Sequence, residues 1–436
     1  MTAEIVIMNK EAVAIAADSA VSLVTGPADS PQKIFTSANK IFGLSDDHTV
    51  ALMIYNNASF LGIPWEPLLA RFEESLLQVP LPTLAGYAEK LILFLSTEQE
   101  LITPDIEKQY FTGLIYNYFL TFRMAFQAGA SEMMRLQGAI SEEQVGEIVA
   151  EKIAQTYETL MSLEYIPGAD DARAREMFSA FDGITTKAIS DVFEQLPITD
   201  PARVQLKAMP ILFFIKNAGQ NDPASQDFSG IVITGFGKKE IFPALVTYAV
   251  QGRLSGILKF TEIENRQITL EKSAYVIPFA QQEMVDTFMA GLDHRFFEAL
   301  LESLAAIFQE FPRSIIDGIE TIDETEKANL KTRIQPRSDD LINQISTFLN
   351  NYRNSNVIPV INVVISLPRT ELAAMAEFLV NLTSLKRKVS LQAETVGGPV
   401  DVAVISKKDG FVWIKKKEYF RSDLNPVKAR PGQGRG

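Results

Sequence analysis

The chain has no cysteine in its 436 residues. Disulfides, thiolate metal sites and a cysteine nucleophile are therefore excluded. It has only two histidines, His48 and His294. A serine–histidine–aspartate triad would need one of them, and no Gly-x-Ser-x-Gly run presents the serine. No apolar stretch approaches the ~18 residues that a membrane-spanning helix requires. A basic surface is also lacking. The formal net charge is −13, which argues against general binding to nucleic acid. A basic start followed by an apolar stretch, the mark of a secretory signal, is absent too. These absences point to a cytoplasmic protein that acts on neither nucleic acid nor membranes, with no metal or cofactor implied.

What is present is ample apolar content, 47% of residues, and an ordinary charged fraction of 22%. Such a chain can bury a large core. Residues 4–8 and 12–18 read as two strands joined at Asn9-Lys10-Glu11. The first mixes isoleucine and valine with Glu4. The second, Ala12 to Ala17, is apolar at every position, which predicts a central strand covered on both faces. A loop with Gly26, Pro27, Ser30 and Pro31 follows. Lys40–Leu44 and Val50–Tyr55 read as another antiparallel pair, turned at Ser45-Asp46-Asp47-His48, where His48 is expected to be solvated.

From about 64 to 208 the spacing is helical. Ser141-Glu142-Glu143-Gln144 has the form of a capping box. Strands return near 230–234, 241–250, 256–260 and 274–279. Helices are expected at about 282–311 and 320–352, with His294 in a capping region at a helix start. Residues 357–366 read as an apolar segment broken by proline. A helix at 370–386 and strands at 400–406 and 411–416 close the pattern. Lys415, Lys416 and Lys417 read as a solvated strand end, and 423–436 as a flexible tail. Strands, helices, strands, helices and strands in that order describe two antiparallel sheets with helices grouped on their outer faces, an α+β domain.

The first stretch also carries chemistry. Threonine follows the initiator methionine. If Met1 is removed, Thr2 presents a free α-amine beside its own hydroxyl. Such an amine ordinarily titrates at roughly pH 8, so it can serve as the base for that hydroxyl. Threonine at position 2 says little alone, Asp18 alone reads as a strand-end turn residue, and Lys40 alone as a surface lysine. Their joint order carries the signal.

That order resembles a known superfamily. The hairpin ending Ala16-Ala17-Asp18-Ser19, the start Asn39-Lys40-Ile41-Phe42, the run Ile231-Val232-Ile233-Thr234-Gly235-Phe236, and Gly397-Gly398-Pro399-Val400 with its later Lys-Asp-Gly turn are similar to proteasome β-type subunits and to the bacterial HslV and Anbu peptidases. The resemblance implies an N-terminal-nucleophile hydrolase with a four-layer αββα sandwich. It covers roughly 1–95, 228–310 and 366–417, within a single domain of 1–422. Residues of about 96–227 and 312–356 would then be helical insertions. Position by position it makes Thr2 the nucleophile, Lys40 the cation beside the hydroxyl and Asp18 the carboxylate that holds Lys40. Lys33, which also precedes Ile-Phe, is the rival lysine. An oxyanion hole would use a backbone N–H near Tyr55 or Asn56, with Met53 in the adjoining pocket.

The chain departs from that family in three places. Tyr55 stands where the family has glycine. Gln281-Gln282-Glu283 replaces a Gly-Ser-Gly segment, leaving Gln282 as a support. The family's second aspartate and its serine fall near Ala393 and Val396, where Glu394 is the nearby acid. The resemblance therefore implies two readings. One is a threonine-type peptidase or amidohydrolase acting on a peptide or protein substrate. The other is a protein of the same fold without turnover, serving in assembly or binding. Either would form a homo-oligomeric ring or stacked assembly. Elsewhere, the aromatic run Tyr110–Phe126 predicts core or a subunit contact, with a channel lining as the alternative. Gly235-Phe236-Gly237 followed by Lys238-Lys239 lacks the third glycine and the helix of a phosphate loop, and reads as a strand turn.

Overall fold

A computed structural model describes residues 3–23, 33–45, 48–76, 79–137, 141–194, 196–217, 227–389 and 397–417. The amino-terminal strands are β1 (Ala3–Asn9), β2 (Ala12–Asp18), β3 (Val21–Leu23), β4 (Lys33–Phe35), β5 (Ile41–Gly43), β6 (Val50–Asn56), β7 (Ser59–Phe60) and β8 (Ile63–Pro64). Six helices follow: α1 (Trp65–Ser75), α2 (Leu84–Thr97), α3 (Pro104–Gln137), α4 (Glu142–Ser162), α5 (Asp171–Phe193) and α6 (Asp200–Ile215). Then come β9 (Ser229–Gly235), β10 (Ala244–Leu254), β11 (Ile257–Gln267) and β12 (Ala274–Ala280). The chain continues through α7 (Glu283–Ala290), α8 (His294–Asp317), α9 (Glu324–Ile365) and α10 (Arg369–Lys388) to β13 (Val400–Ser406) and β14 (Gly410–Lys415).

The protein is mixed α and β, with two antiparallel five-stranded sheets. One has the order β12-β1-β2-β13-β14 and the other β11-β10-β9-β6-β5. The chain divides into two compact units. The first holds 1–55, 234–245 and 266–436, and the second holds 56–233 and 246–265.

In the first unit, β2 lies between β1 and β13, with Ile5 opposite Ala16 and Val402 opposite Ala16 on the other side. Every residue of β2 is buried, as its unbroken apolar run requires. Asn9 forms the β1–β2 turn. Its Oδ1 accepts from the Glu11 and Ala12 amides at 2.9 and 3.2 Å. Its Nδ2 donates to the carbonyls of Val364 and Leu367, both at 3.0 Å, so the turn is pinned to the end of α9. One sheet face carries Ile5, Ile7 and the alanines 12, 14 and 16, packed with Leu372, Ala373, Ala376 and Leu379 of α10. Small residues on both partners let helix and strand approach closely. Over the opposite face lies β5. A Cβ added at Gly43 would come within 2.5 Å of the Phe411 ring in β14.

Where β9 ends, Gly235 adopts φ +137° and a Cβ there would stand 2.2 Å from the Thr49 carbonyl. Only glycine lets the two backbones meet. The junction is then closed by Phe236 N–H donating to the Thr49 carbonyl at 2.8 Å and the Thr49 hydroxyl donating to the Phe236 carbonyl at 2.7 Å. Gly235 therefore makes a strand turn, as its sequence context predicted.

The helices of the second unit enclose a core of their own. Phe111, Phe119, Phe126, Phe181, Phe193 and Phe214 are buried in it. The phenylalanines of the aromatic run are thus core residues. The capping box at Ser141 and Gln144 forms in full. Arg253 is 3% exposed. It pairs with Glu107 and donates to the carbonyls of Leu95, Glu98 and Ile102, which ties α2 and α3 to β10.

Three sequence expectations are corrected. Residues 357–366 are not a broken segment: α9 runs through them with Pro336 and Pro359 inside it. Each proline removes one backbone donor, yet the helix continues on both sides. His48 is 2% exposed and not solvated, with its N–H on the Ser45 carbonyl. Lys417 is not a solvated strand end either, since it forms an ion pair with Asp401 in which both side chains are 5% exposed. His294 does begin a helix, beside the capping Asp293. Among the described residues no helix is long and apolar enough to cross a membrane.

Candidate functional site

The first strand of the chain brings its start to the end of the second. Ala3 N–H donates to Asp18 Oδ1 at 3.1 Å. Asp18 closes β2, where β13 begins at Val400 on its other side. Gly397 N–H, just ahead of β13, donates to Asp18 Oδ2 at 2.8 Å. The third donor is Lys40, whose Nζ lies 2.5 Å from Asp18 Oδ1. Lys40 immediately precedes β5, and its carbonyl accepts from Ile54 N–H of β6 at 2.9 Å. A buried carboxylate costs several kcal/mol unless it is paired and hydrogen-bonded. Two amides and one ammonium meet that need for Asp18, which is 1% exposed.

A second carboxylate reaches the same ammonium. Glu4 Oε1 lies 3.1 Å from Lys40 Nζ, and the exposures of the Lys40, Glu4 and Asp18 side chains are 6%, 0% and 0%. Alternation explains the placement. Ile5 and Ile7 turn to the α10 side of the sheet, so Glu4 turns to the side that β5 covers. The site is thus one lysine held between two carboxylates. Sequence reasoning did not select Glu4. Its signal was there, in a charged residue at an inward position of an otherwise apolar strand. Ser19 completes the corner. Its hydroxyl donates to the Pro399 carbonyl at 2.7 Å, and its carbonyl accepts from Ala38 N–H at 3.1 Å.

Of the residues selected from sequence, Asp18 and Lys40 are brought together. Thr2 and Glu394 lie outside the described residues, as do Ala393 and Val396. The backbone of Lys33 lies in β4, and its side chain is outside the described set. Met53 is fully buried and pairs with Ile41 across β5 and β6. The Tyr55 ring is 8% exposed, and its centroid is 5.3 Å from that of Phe279. In the second unit, Asn56 has φ +69°, a left-handed conformation that asparagine tolerates, and its Nδ2 donates to the Phe228 carbonyl at 2.9 Å. Gln282 is exposed at the start of α7 with no cap bond from its side chain. Its neighbour Gln281 is the buried one, and it accepts from Arg387 Nε at 2.6 Å.

No group of three or more acidic or histidine side chains placed to hold a metal occurs among the described residues. Compared with known protein families and with curated proteins, the chain matches none.

Proposed function

We propose that the chain is a threonine-type N-terminal-nucleophile hydrolase that cleaves peptide or other amide bonds, built on a four-layer αββα sandwich like that of the proteasome β-type subunits it resembles. One observation carries the reading. Ala3 N–H and Lys40 Nζ share a single oxygen of Asp18. Ala3 directly follows Thr2 in the chain, so the amide of the residue after the proposed nucleophile shares its acceptor with the lysine. Once Met1 is excised, the Thr2 hydroxyl attacks the carbonyl carbon of the substrate and the Thr2 amine takes its proton. The amine leaving group departs carrying that proton, and an acyl ester forms on Thr2. Water, deprotonated by the same amine, then hydrolyses the ester. Lys40 supplies positive charge where the hydroxyl gains alkoxide character, and Asp18 and Glu4 fix its position. Backbone amides near Tyr55 and Asn56 would receive the oxyanion. The scheme calls for no metal or cofactor.

The test has two parts. Intact-mass analysis of the native protein is expected to show Met1 removed, and a threonine-directed electrophile is expected to add once to the protein and not to Thr2→Ala. Retained Met1 defeats the reading, because the amine is then blocked. A second reading is the same fold without turnover. The burial of the Tyr55 ring against Phe279 favours it, since the family places glycine there. Loss of Met1 without any labelling of Thr2 would select it. Under either reading the chain assembles with copies of itself. Ile307, Phe311 and Ile315 recur along one stripe of α8 at 55%, 63% and 52% exposure. Phe311→Glu is expected to lower the mass found by sedimentation. An unchanged mass would remove that stripe from the assembly.

A further inference from the structure

The second unit contains a cavity of about 640 Å³. That falls within the 300–1,000 Å³ of ordinary small-molecule sites. Its walls include Tyr110, Tyr118 and Phe213, and Lys259 lines it. Lys259 belongs to β11 and is 7% exposed. It donates to the Phe213 carbonyl at 2.6 Å, and its ammonium lies 4.5 Å from the centre of the Phe213 ring. That carbonyl is in the last turn of α6, where backbone acceptors lack helical partners. The bond therefore fixes the ammonium at the aromatic end of the cavity. Tyr110 donates its hydroxyl to the Gln251 carbonyl at 2.8 Å. Burial, with Asp227 nearby, raises the Tyr110 pKa well above the usual phenol value, so it stays a neutral donor. Asp227, also in the lining, is exposed and accepts from Asn57 at 2.5 Å. The cavity thus has an acidic, solvent-facing residue and a cationic, buried one.

A further observation concerns the space itself. Gly113 lies inside α3, a 34-residue helix. Glycine in a helix interior is unfavourable, and close packing would be the usual reason to find one. Among the described residues nothing lies within 4 Å of an ideal Cβ at Gly113, and Gly113 lines the cavity. Gly62, with φ +81°, lines it too and also faces open space. Their missing side chains leave the cavity open. Among the described residues no side chain fills that space, at a position where alanine would have made the better helix.

We infer that this cavity binds an aromatic carboxylate, with its ring among Tyr118 and Phe213 and its single negative charge at Lys259. A flat ring matches aromatic walls, which favour offset or edge-on contacts. The cation of Lys259 attracts a monoanion, and a second negative charge placed near Asp227 would be repelled. The site stands whether or not Thr2 is a nucleophile.

The test uses the full-length chain and the probe 1-anilinonaphthalene-8-sulfonate, an aromatic monoanion whose fluorescence rises on burial. One probe is expected to bind per chain and to be displaced by 2-naphthoate at a concentration at least tenfold below that needed for the neutral 2-naphthamide. Gly113→Phe, which fills the cavity from a helical position with free space, is expected to abolish binding while the thermal midpoint stays equal or rises. Lys259→Gln is expected to weaken binding at least tenfold. Undiminished binding by Gly113→Phe would place the probe elsewhere and overturn the inference. Equal displacement by acid and amide would overturn the role of Lys259, as would the absence of any stoichiometric binding.

Discussion

Replacing Lys40 by methionine removes the one cation between two buried carboxylates, whereas replacing Glu4 by glutamine removes one carboxylate and leaves an ion pair. The structure predicts very different costs. Lys40 Nζ lies 2.5 Å from Asp18 and 3.1 Å from Glu4. At an effective dielectric of about 20 these attractions are worth about 7 and about 5 kcal/mol before any charge of desolvation is set against them. The two carboxylate oxygens sit on one nitrogen, so they are no more than about 5.6 Å apart. Their mutual repulsion is then at least about 3 kcal/mol on the same scale. Glu4 therefore contributes at most about 2 kcal/mol net, and desolvation of its own charge reduces that further. Glu4→Gln is expected to change stability by less than about 2 kcal/mol in either direction, since Lys40 keeps its bond to Asp18. Lys40→Met loses both attractions and keeps the repulsion. Relieved of the lysine's own desolvation, it is expected to cost about 3–5 kcal/mol, the usual loss when one member of a buried ion pair is removed. Urea unfolding at pH 7, followed by far-UV circular dichroism with the slope checked for constancy, measures both. Adding Glu4→Gln to Lys40→Met should recover part of the loss, because one of two unpaired charges is gone. A Glu4→Gln cost equal to that of Lys40→Met would refute the reasoning, as would a double variant worse than Lys40→Met alone.

Arg253→Met takes the cation from Glu107, which keeps the Ser255 amide, and removes the donor to three backbone carbonyls. It is expected to destabilise the second unit by about 3–5 kcal/mol, and a urea midpoint shift worth under about 1 kcal/mol would contradict that. Asp286 in α7 is held above the ordinary carboxyl value of 3.8, chiefly by burial and against the pull of His294 and Arg353. A raised folded pKa means that the folded state keeps a proton the unfolded state gives up. Stability from this group is therefore full below 3.8 and lost as pH rises through the folded value. Asp286→Asn is expected to match the native protein at low pH and to become the more stable of the two as pH rises. A thermal-midpoint difference that stays constant with pH would show that Asp286 titrates normally.

Some of this was legible in the sequence because one residue or one pattern decides it. Asn9 sets the first turn with its own side chain, and the unbroken apolar run of β2 admits only a central position. The pairing of Asp18 with Lys40 was readable through the order of a known constellation. What failed to show depends on contacts between residues far apart in the chain. Pro359 punctuates the sequence, yet Val364 and its neighbours pack under the first sheet, and tertiary burial carries the helix past the proline. His48 and Lys417 look solvated from their polar sequence neighbours, yet His48 is 2% exposed and the Lys417 side chain is buried against Asp401.

Glu4 is the most instructive case. In sequence it is one charged residue in a strand of isoleucine and valine, with nothing local to name its partner. Yet the strand is buried on both faces, and a carboxylate held there must have a cation opposite. That requirement favours Lys40 over Lys33 on grounds independent of any resemblance, because one lysine then answers two carboxylates, one on each strand at the open end of the same hairpin. It also changes what the lysine is fixed by. With Asp18 alone the ammonium could swing about one oxygen. With Glu4 as a second anchor it is held from two directions, beside the residue whose amide is already bound to Asp18. An electrostatic aid to a nucleophile works through fixed position more than through charge alone. Glu4→Gln should therefore impair any labelling of Thr2 more than it impairs folding, and equal labelling rates in the two proteins would show that Asp18 holds the lysine unaided.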